Sequence, residues 1–439
     1  MRPNDHFSAF WMPFTSNQDF VADPRLLTAA NGHYYQSADG RQLYDSFSGL
    51  WTTGLGHCHP KIVEAVQKQV AELDYAMSFQ IGHPKAYEFA NRLVALAPDG
   101  FGHAFFCGSG SEAADTALKI ALAYHRAKGD ATRTRLIGRE RGYHGTNFGG
   151  MSVGGIPANR KVFSPCLIPG VDHLPHTLNL SENAFSKGLP KWGAHLADEL
   201  ERICALHDAS NVAAVIVEPA PGSTGILPPP VGYLERLREI CTRNGILLIF
   251  DEVINAFGRI GAAFAAERFG VIPDIITTAK GLTNGVIPMG AVLVSEDIYD
   301  SIVQGPAHLV ELFHGYTYSG HPVAVAAALA TLDAYEEEGS FEEALSLEPI
   351  FEEAIHMLDD HPKVIDVRNV GLMGAVELAP SEVGAGARGL AVHKHCYWTE
   401  DLIVRNGADI LQFSPFLNSK PDDLFKTFEK IRRSLDAVD

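Results

Sequence analysis

Three short stretches set reactive side chains at the ends of apolar runs. In Leu247-Leu248-Ile249-Phe250-Asp251-Glu252-Val253, a carboxylate follows four apolar residues. A carboxylate drawn into a buried strand end needs a partner, because desolvating a lone charge is costly. A protonated pyridine nitrogen would be one such partner; a cap on the following turn is the plainer alternative. In Ile275-Ile276-Thr277-Thr278-Ala279-Lys280-Gly281, a single lysine closes another apolar run. Desolvation lowers a lysine's pKa and makes its amine a nucleophile toward carbonyl carbon. The commoner fate of such a lysine is to snorkel past a strand edge into water. In Cys107-Gly108-Ser109-Gly110-Ser111-Glu112-Ala113, a strand-like run enters a glycine turn and a helix opens at once. The first turn of a helix exposes unpaired N–H groups at a positive dipole end, which suits a phosphate. Ser109 and Ser111 could add hydroxyl donors, and the same pattern also reads as a simple N-cap.

Other chemistry is less well supplied. Gly56-His57-Cys58-His59-Pro60 offers metal-ligating types at adjacent positions, which do not converge easily on one ion, and no second cluster completes a tetrahedral set. Asp251-Glu252 lacks a nearby histidine or further acid. No metal site is expected.

The elements that must position these residues follow from periodicity. Apolar runs at 103–107, 212–217, 246–250 and 274–278 read as strands, and 111–128 and 233–244 as helices. Alternation of this kind requires crossovers and a mostly parallel sheet covered by helices. Ligands on such sheets bind beyond the carboxyl ends of strands, where Asp251, Lys280 and the Ser109-Gly110-Ser111 turn all fall. The stretch from Pro322 to Leu332 is apolar but too short to span a bilayer, and reads as a buried helix. Beyond it the pattern changes to a helix over 341–358, strands at 364–369 and 372–378, a helix from Ala391, and a closing amphipathic helix over 423–437. That is an α+β small domain. Near the start, Tyr34-Tyr35, Asp39-Gly40-Arg41 and Leu43-Tyr44-Asp45 form a hairpin pattern expected to join it. The expected division is an N-terminal segment over 1–60, a large domain over 61–325 and a small domain over 326–439.

The 439 residues carry 53 acidic and 35 basic side chains, a formal charge of -18. An acidic surface repels phosphate backbones and anionic lipid, so neither nucleic acid nor membrane is an expected partner. The six cysteines are scattered without a CxxC pair, as in a reducing cytoplasm. The opening Met1-Arg2-Pro3-Asn4-Asp5-His6 shows no apolar leader.

Taken together and in order, these motifs resemble the class III (fold type I) pyridoxal-phosphate (PLP)-dependent aminotransferases over nearly the whole length. The resemblance rests on Asp251-Glu252-Val253-Ile254 with Phe257-Gly258-Arg259, then Lys280-Gly281 ahead of Pro288-Met289-Gly290. Ala256 departs from the usual glycine, and a small backbone adjustment is expected there. The resemblance implies a large domain with a mostly parallel, seven-stranded type of sheet. It implies that Lys280 forms the Schiff base with PLP and later moves the substrate proton, and that Asp251 binds the pyridine nitrogen. Val253 and Tyr143 would flank the ring, the latter in Tyr143-His144-Gly145. Ser109, Gly110 and Ser111 would hold the phosphate, and Glu218 would lie near the ring. Thr317 matches a threonine that reaches the neighbouring subunit's phosphate. A homodimer with shared sites follows, with pairing into a tetramer left open.

Arg405, in Leu402-Ile403-Val404-Arg405, matches an arginine that clamps a substrate carboxylate; such a grip is bidentate. A surface salt bridge is the bland alternative. In relatives that use glutamate, ornithine or γ-aminobutyrate, a Glu pairs with this arginine. Ser223 stands there instead, which points to pyruvate rather than 2-oxoglutarate as acceptor. Trp51 and Phe79, with Tyr143 and Leu50, would line an aromatic substrate pocket, or serve as ordinary core. The stretches Phe10-Trp11-Met12-Pro13-Phe14-Thr15, Thr283-Asn284-Gly285-Val286 and Leu411-Gln412-Phe413-Ser414-Pro415 resemble β-alanine–pyruvate aminotransferases most. Transfer from an ω-amine to pyruvate is therefore expected. Taurine or diamine donors, or an aminomutase on the same scaffold, are the alternatives.

Overall fold

A computed structural model describes Phe7 and residues 9–439; the charged opening Met1–His6 lies outside the described residues. The chain begins with three strands, β1 (Leu27–Asn31), β2 (Tyr34–Ser37) and β3 (Gln42–Asp45). Gly40, at φ 88°, lets the β2–β3 hairpin turn where a side chain would be strained.

The central sheet follows. Its strands in chain order are β4 (Phe101–Cys107), β5 (Arg135–Arg139), β6 (Val171–Leu174), β7 (Val212–Val217), β8 (Leu247–Asp251), β9 (Ile275–Thr278) and β10 (Gly290–Ser295). In space they run β4-β10-β9-β8-β7-β5-β6. The β5, β6, β7, β8 and β9 pairings are parallel, and β10 is antiparallel to both neighbours. Every residue of β7 and β8 is buried, as a sheet covered on both faces requires. Helices such as Gly110–Ala127 and Tyr233–Asn244 supply the cover. This is the fold expected from the alternation of apolar runs.

The helix Pro322–Glu337 is apolar over most of its length, and most of it is buried, packed against the helices Pro60–Glu72 and Pro84–Ala95. Pro322 sits in its first turn, where no N–H is needed, and the His321 ring accepts the Val323 N–H at 3.2 Å. The C-terminal part adds β11 (Val364–Val370), β12 (Met373–Leu378), β13 (Leu402–Ile403), β14 (Arg405–Gly407) and β15 (Ile410–Phe413). β11-β12-β15-β14 form one antiparallel sheet, while β13 pairs in parallel with β3.

Two local readings differ from the structure. The run 402–405, strand-like in sequence, is split at Val404 between two sheets. The helix expected from Ala391 starts at Ala387, directly after Gly386 in the left-handed region. Both differences arise from long-range pairing and backbone geometry that apolar periodicity does not encode.

Candidate active site

Three chain segments leave the sheet side by side. The turn after β4 ends in Ser109, whose hydroxyl oxygen accepts the Glu112 N–H at 3.2 Å, while the Glu112 carboxylate accepts the Gly108 N–H at 2.6 Å. This reciprocal cap fixes the turn and leaves the Ser109 O–H free to donate. The Ser111 hydroxyl accepts the Thr146 N–H at 3.2 Å. Glycines let these loops close: a Cβ on Gly290 would sit 2.5 Å from the Ser109 carbonyl oxygen, and one on Gly145 (φ 92°) 2.6 Å from the Ser111 Cα.

A cavity of about 330 Å³ lies between these loops, lined by Ser109, Tyr143, Glu218, Asp251, Val253 and Lys280 among others. Asp251 closes β8 and is buried. One carboxylate oxygen accepts the Val253 N–H at 3.2 Å, and the other lies 2.7 Å from His144 Nδ1. His144 is itself buried, and its Nε2 has no hydrogen-bond partner among the described residues. Glu218 follows β7; its carboxylate accepts N–H bonds from Tyr143 at 2.8 Å and Gly222 at 3.3 Å. Burial pushes the Glu218 carboxyl above its usual range; His144 counters this and the nearby Asp251 adds to it.

Lys280 follows β9 by two residues and has φ 47°, uncommon for a side-chain-bearing residue and a mark of local strain. Its amine lies 6.0 Å from the centre of the Trp51 ring. Burial holds the amine below its ordinary pKa, Asp251 and Glu218 draw it back up, and Arg405 pushes it down. The net effect is an amine whose pKa lies below its ordinary value, beside two carboxyl groups. PLP, implied by the resemblance, fits this set. A helix N-terminus with two hydroxyls suits the phosphate, Asp251 suits a ring nitrogen, and Lys280 suits an aldehyde. Gly110 is part of that fit, since a Cβ there would press on Val253 Cγ1 at 3.0 Å.

A second group of side chains sits beside Lys280. The guanidinium of Arg405 lies 5.1 Å from the Trp51 ring centre and 5.8 Å from that of Phe47. It has no carboxylate within ion-pair distance among the described residues, and its buried Nε has no partner. Burial lowers its pKa, and Tyr143 is the one group that opposes this. Trp51, at φ 57°, is held on an irregular turn. The buried Asp45 carboxylate accepts N–H bonds from Phe47 at 2.9 Å and Gly49 at 2.6 Å, and lies 2.8 Å from His57 Nε2. Arg259 donates to the Ser48 hydroxyl at 3.0 Å and the Pro415 carbonyl at 2.5 Å. The carbonyl of Ser223 accepts the Gln412 side-chain N–H at 3.3 Å.

Three residues expected at the site are exposed away from this cavity. Thr317 is exposed, and its carbonyl accepts the Tyr75 O–H at 3.0 Å. Phe79 is 55% exposed and sits beside Gly315, two residues before Thr317. Leu50 points largely to solvent, at 46% exposure. Ala256 is buried, and the positive φ of its turn falls on Phe257 (58°), so the alanine is accommodated.

The histidines of the 56–60 stretch are committed elsewhere. His57 pairs with Asp45, and His59 with Glu338 at 2.8 Å. Among the described residues no group of three or more His, Cys, Asp or Glu side chains could hold a metal ion. Sequence reasoning missed Thr52 in the cavity wall, Phe47 under Arg405, and the Asp45–His57 pair. Phe47 lies four residues before Trp51 on the same irregular turn; all three depend on packing that local pattern does not encode.

The model of the family "Aminotransferase class-III" matches residues 16–435. The chain is similar to an omega-aminotransferase of Caulobacter vibrioides, 57% identical over 431 residues and covering 98% of each chain. It is similar to a beta-alanine–pyruvate aminotransferase of Pseudomonas aeruginosa, 49% identical over 433 residues, covering 98% of this chain and 96% of that one. Among solved structures, an omega transaminase from Pseudomonas jessenii in complex with PMP superposes with a TM-score of 0.93 at 30% identity, covering 100% of this chain and 98% of that one.

Proposed function

The chain belongs to the class-III aminotransferases, whose cofactor is PLP, and on that premise we propose that it moves an amino group from β-alanine or another ω-amine to pyruvate. The observation that carries the substrate reading is Arg405. It is a guanidinium stacked on aromatic rings beside Lys280, with no acidic partner among the described residues. A charge kept in that state is poised to take a carboxylate from the substrate.

Bound in the cavity, PLP supplies an aldehyde for the amino nitrogen and a ring that withdraws electrons from the substrate carbon. The chain does the rest. Asp251, backed by the His144 ring and the Val253 N–H, presents a carboxylate to the ring nitrogen. Ser109 and Ser111, with the N–H groups of the helix opening at Gly110, hold the phosphate. Val253 and Tyr143 confine the ring, and Glu218 keeps the Tyr143 backbone in place. The Lys280 amine, whose pKa burial lowers, would act as the base at the substrate carbon. Trp51 lies beside that amine, and Arg405 would hold and orient the acceptor's carboxylate.

Ser223 offers no carboxylate to pair with Arg405, which supports a small mono-carboxylate acceptor over 2-oxoglutarate. Rates with the two acceptors test this: fast turnover with 2-oxoglutarate and none with pyruvate would contradict it.

The working unit in this reading is a homodimer in the cytoplasm. In this reading the exposed Thr317 and Phe79, both away from their own cavity, would reach the partner's site. Exposed apolar neighbours such as Phe313 and Tyr318 support a covered face there. Six unpaired cysteines support a reducing compartment. Sedimentation of the holoenzyme tests the assembly; a monomer with full activity would contradict it.

A further inference from the structure

Two residues paired across neighbouring strands each carry a buried polar atom without a partner among the described residues. In the antiparallel β14–β15 pair, Arg405 is directly opposite Gln412. Side chains so paired project from the same face with Cβ atoms about 5 Å apart. Gln412 is completely buried. Its amide orientation is fixed, because the nitrogen donates to the Ser223 carbonyl at 3.3 Å, so Oε1 is the atom left over. Among the described residues that oxygen has no hydrogen-bond partner, and neither does Arg405 Nε. On its other flank Gln412 faces Ala375, whose methyl can satisfy nothing. A buried acceptor and a buried donor, on neighbouring side chains of one sheet face, are each left without the partner that the other supplies.

We propose that Gln412 is a positioning residue for substrate choice: it takes the Arg405 guanidinium when the substrate has no carboxylate, and releases it to one that has. The inference rests on the reading of Arg405 as the carboxylate clamp. A site serving both an ω-amine and a keto acid must hold the same cation in two settings. With a carboxylate present, the charge-assisted pair outcompetes a neutral amide oxygen. Without one, Oε1 accepts the N–H and spares the apolar substrate a buried, unpaired cation. A glutamate in the same place would hold the guanidinium too strongly, and an apolar side chain would not hold it at all. Ser223 contributes through its backbone, by fixing the amide's orientation.

The test measures both half-reactions of the PLP-loaded enzyme by absorbance. 2-Phenylethylamine serves as the carboxylate-free donor, and pyruvate is added to the pyridoxamine form. Gln412→Leu removes the acceptor, and the amine-to-pyruvate ratio of kmax/Kd is expected to fall about tenfold, one hydrogen bond's worth. Gln412→Glu supplies a charged acceptor and is expected to move the ratio the opposite way, by raising the Kd for pyruvate about tenfold or more. A merely structural role would slow both half-reactions alike. Adding Gln412→Leu to Arg405→Leu should change the ratio no further. Movement of the ratio by less than twofold, or in the same direction in both variants, would overturn the proposal. Failure of the clamp reading is seen separately: Arg405→Leu would then leave the Kd for pyruvate unchanged.

Discussion

His144 Nδ1 lies 2.7 Å from the carboxylate oxygen of Asp251, and both side chains are buried. The imidazole therefore donates to the carboxylate that would face the cofactor's ring nitrogen, and only a narrow set of orientations is left to Asp251. His144→Phe keeps the bulk and removes that donor. A hydrogen bond to a charged group contributes about 1.5–3 kcal/mol, so PLP retention is expected to weaken at least tenfold. Equilibrium titration of the apoenzyme with PLP checks this; unchanged affinity would mean that the Val253 N–H alone suffices.

Arg405→Leu is expected to raise the Kd for pyruvate about 30- to 100-fold, the loss of a bidentate charge-assisted pair. The same variant carries a pH signature. The positive charge of Arg405 is one of the groups that lower the Lys280 pKa. Removing it raises that pKa, so the neutral amine forms only at higher pH. The acidic limb of the rate with a carboxylate-free amine should move to more alkaline pH. A limb that stays in place, or moves toward acid, would contradict the electrostatic reading.

Gly290→Ala is expected to open the turn at Ser109, because the new methyl would lie 2.5 Å from the Ser109 carbonyl oxygen. Overpacking of this kind costs about 1–3 kcal/mol. The loss should show as a lower unfolding temperature and weaker PLP binding together. A lower unfolding temperature with unchanged PLP affinity would mean that the turn recovers its shape when loaded.

Asp45→Ala would leave the N–H groups of Phe47 and Gly49 without their acceptor. The buried Phe47 orphan costs about 1–3 kcal/mol, and the part-buried Gly49 less. The turn bearing Trp51 should loosen, so the Kd values for donor and acceptor rise while PLP titrates as in the parent. A parallel loss of PLP affinity would place the turn's role at the cofactor instead.

The residues legible in sequence were those tied to strand ends. Asp251 and Lys280 each follow an apolar run, and Ser109 opens a helix after a glycine turn, so local pattern alone put them on one edge of the sheet. The seven-stranded order and the antiparallel place of β10 left no such trace, because pairing partners lie far apart in the chain. The break at Val404 was equally silent: four residues with strand propensity serve two sheets, and only the pairing of β13 with β3 separates them. In sequence Gln412 is one polar residue between Leu411 and Phe413. Its meaning emerged when the fold set Arg405 opposite it and Ser223 behind it.

The most direct test of the central claim follows the absorbance of the yellow holoenzyme through its two half-reactions. Bleaching by β-alanine alone, recovery on addition of pyruvate, and neither change in Lys280→Ala is the result expected. Turnover unchanged in Lys280→Ala, or no PLP band in the parent protein after PLP is supplied, would contradict it.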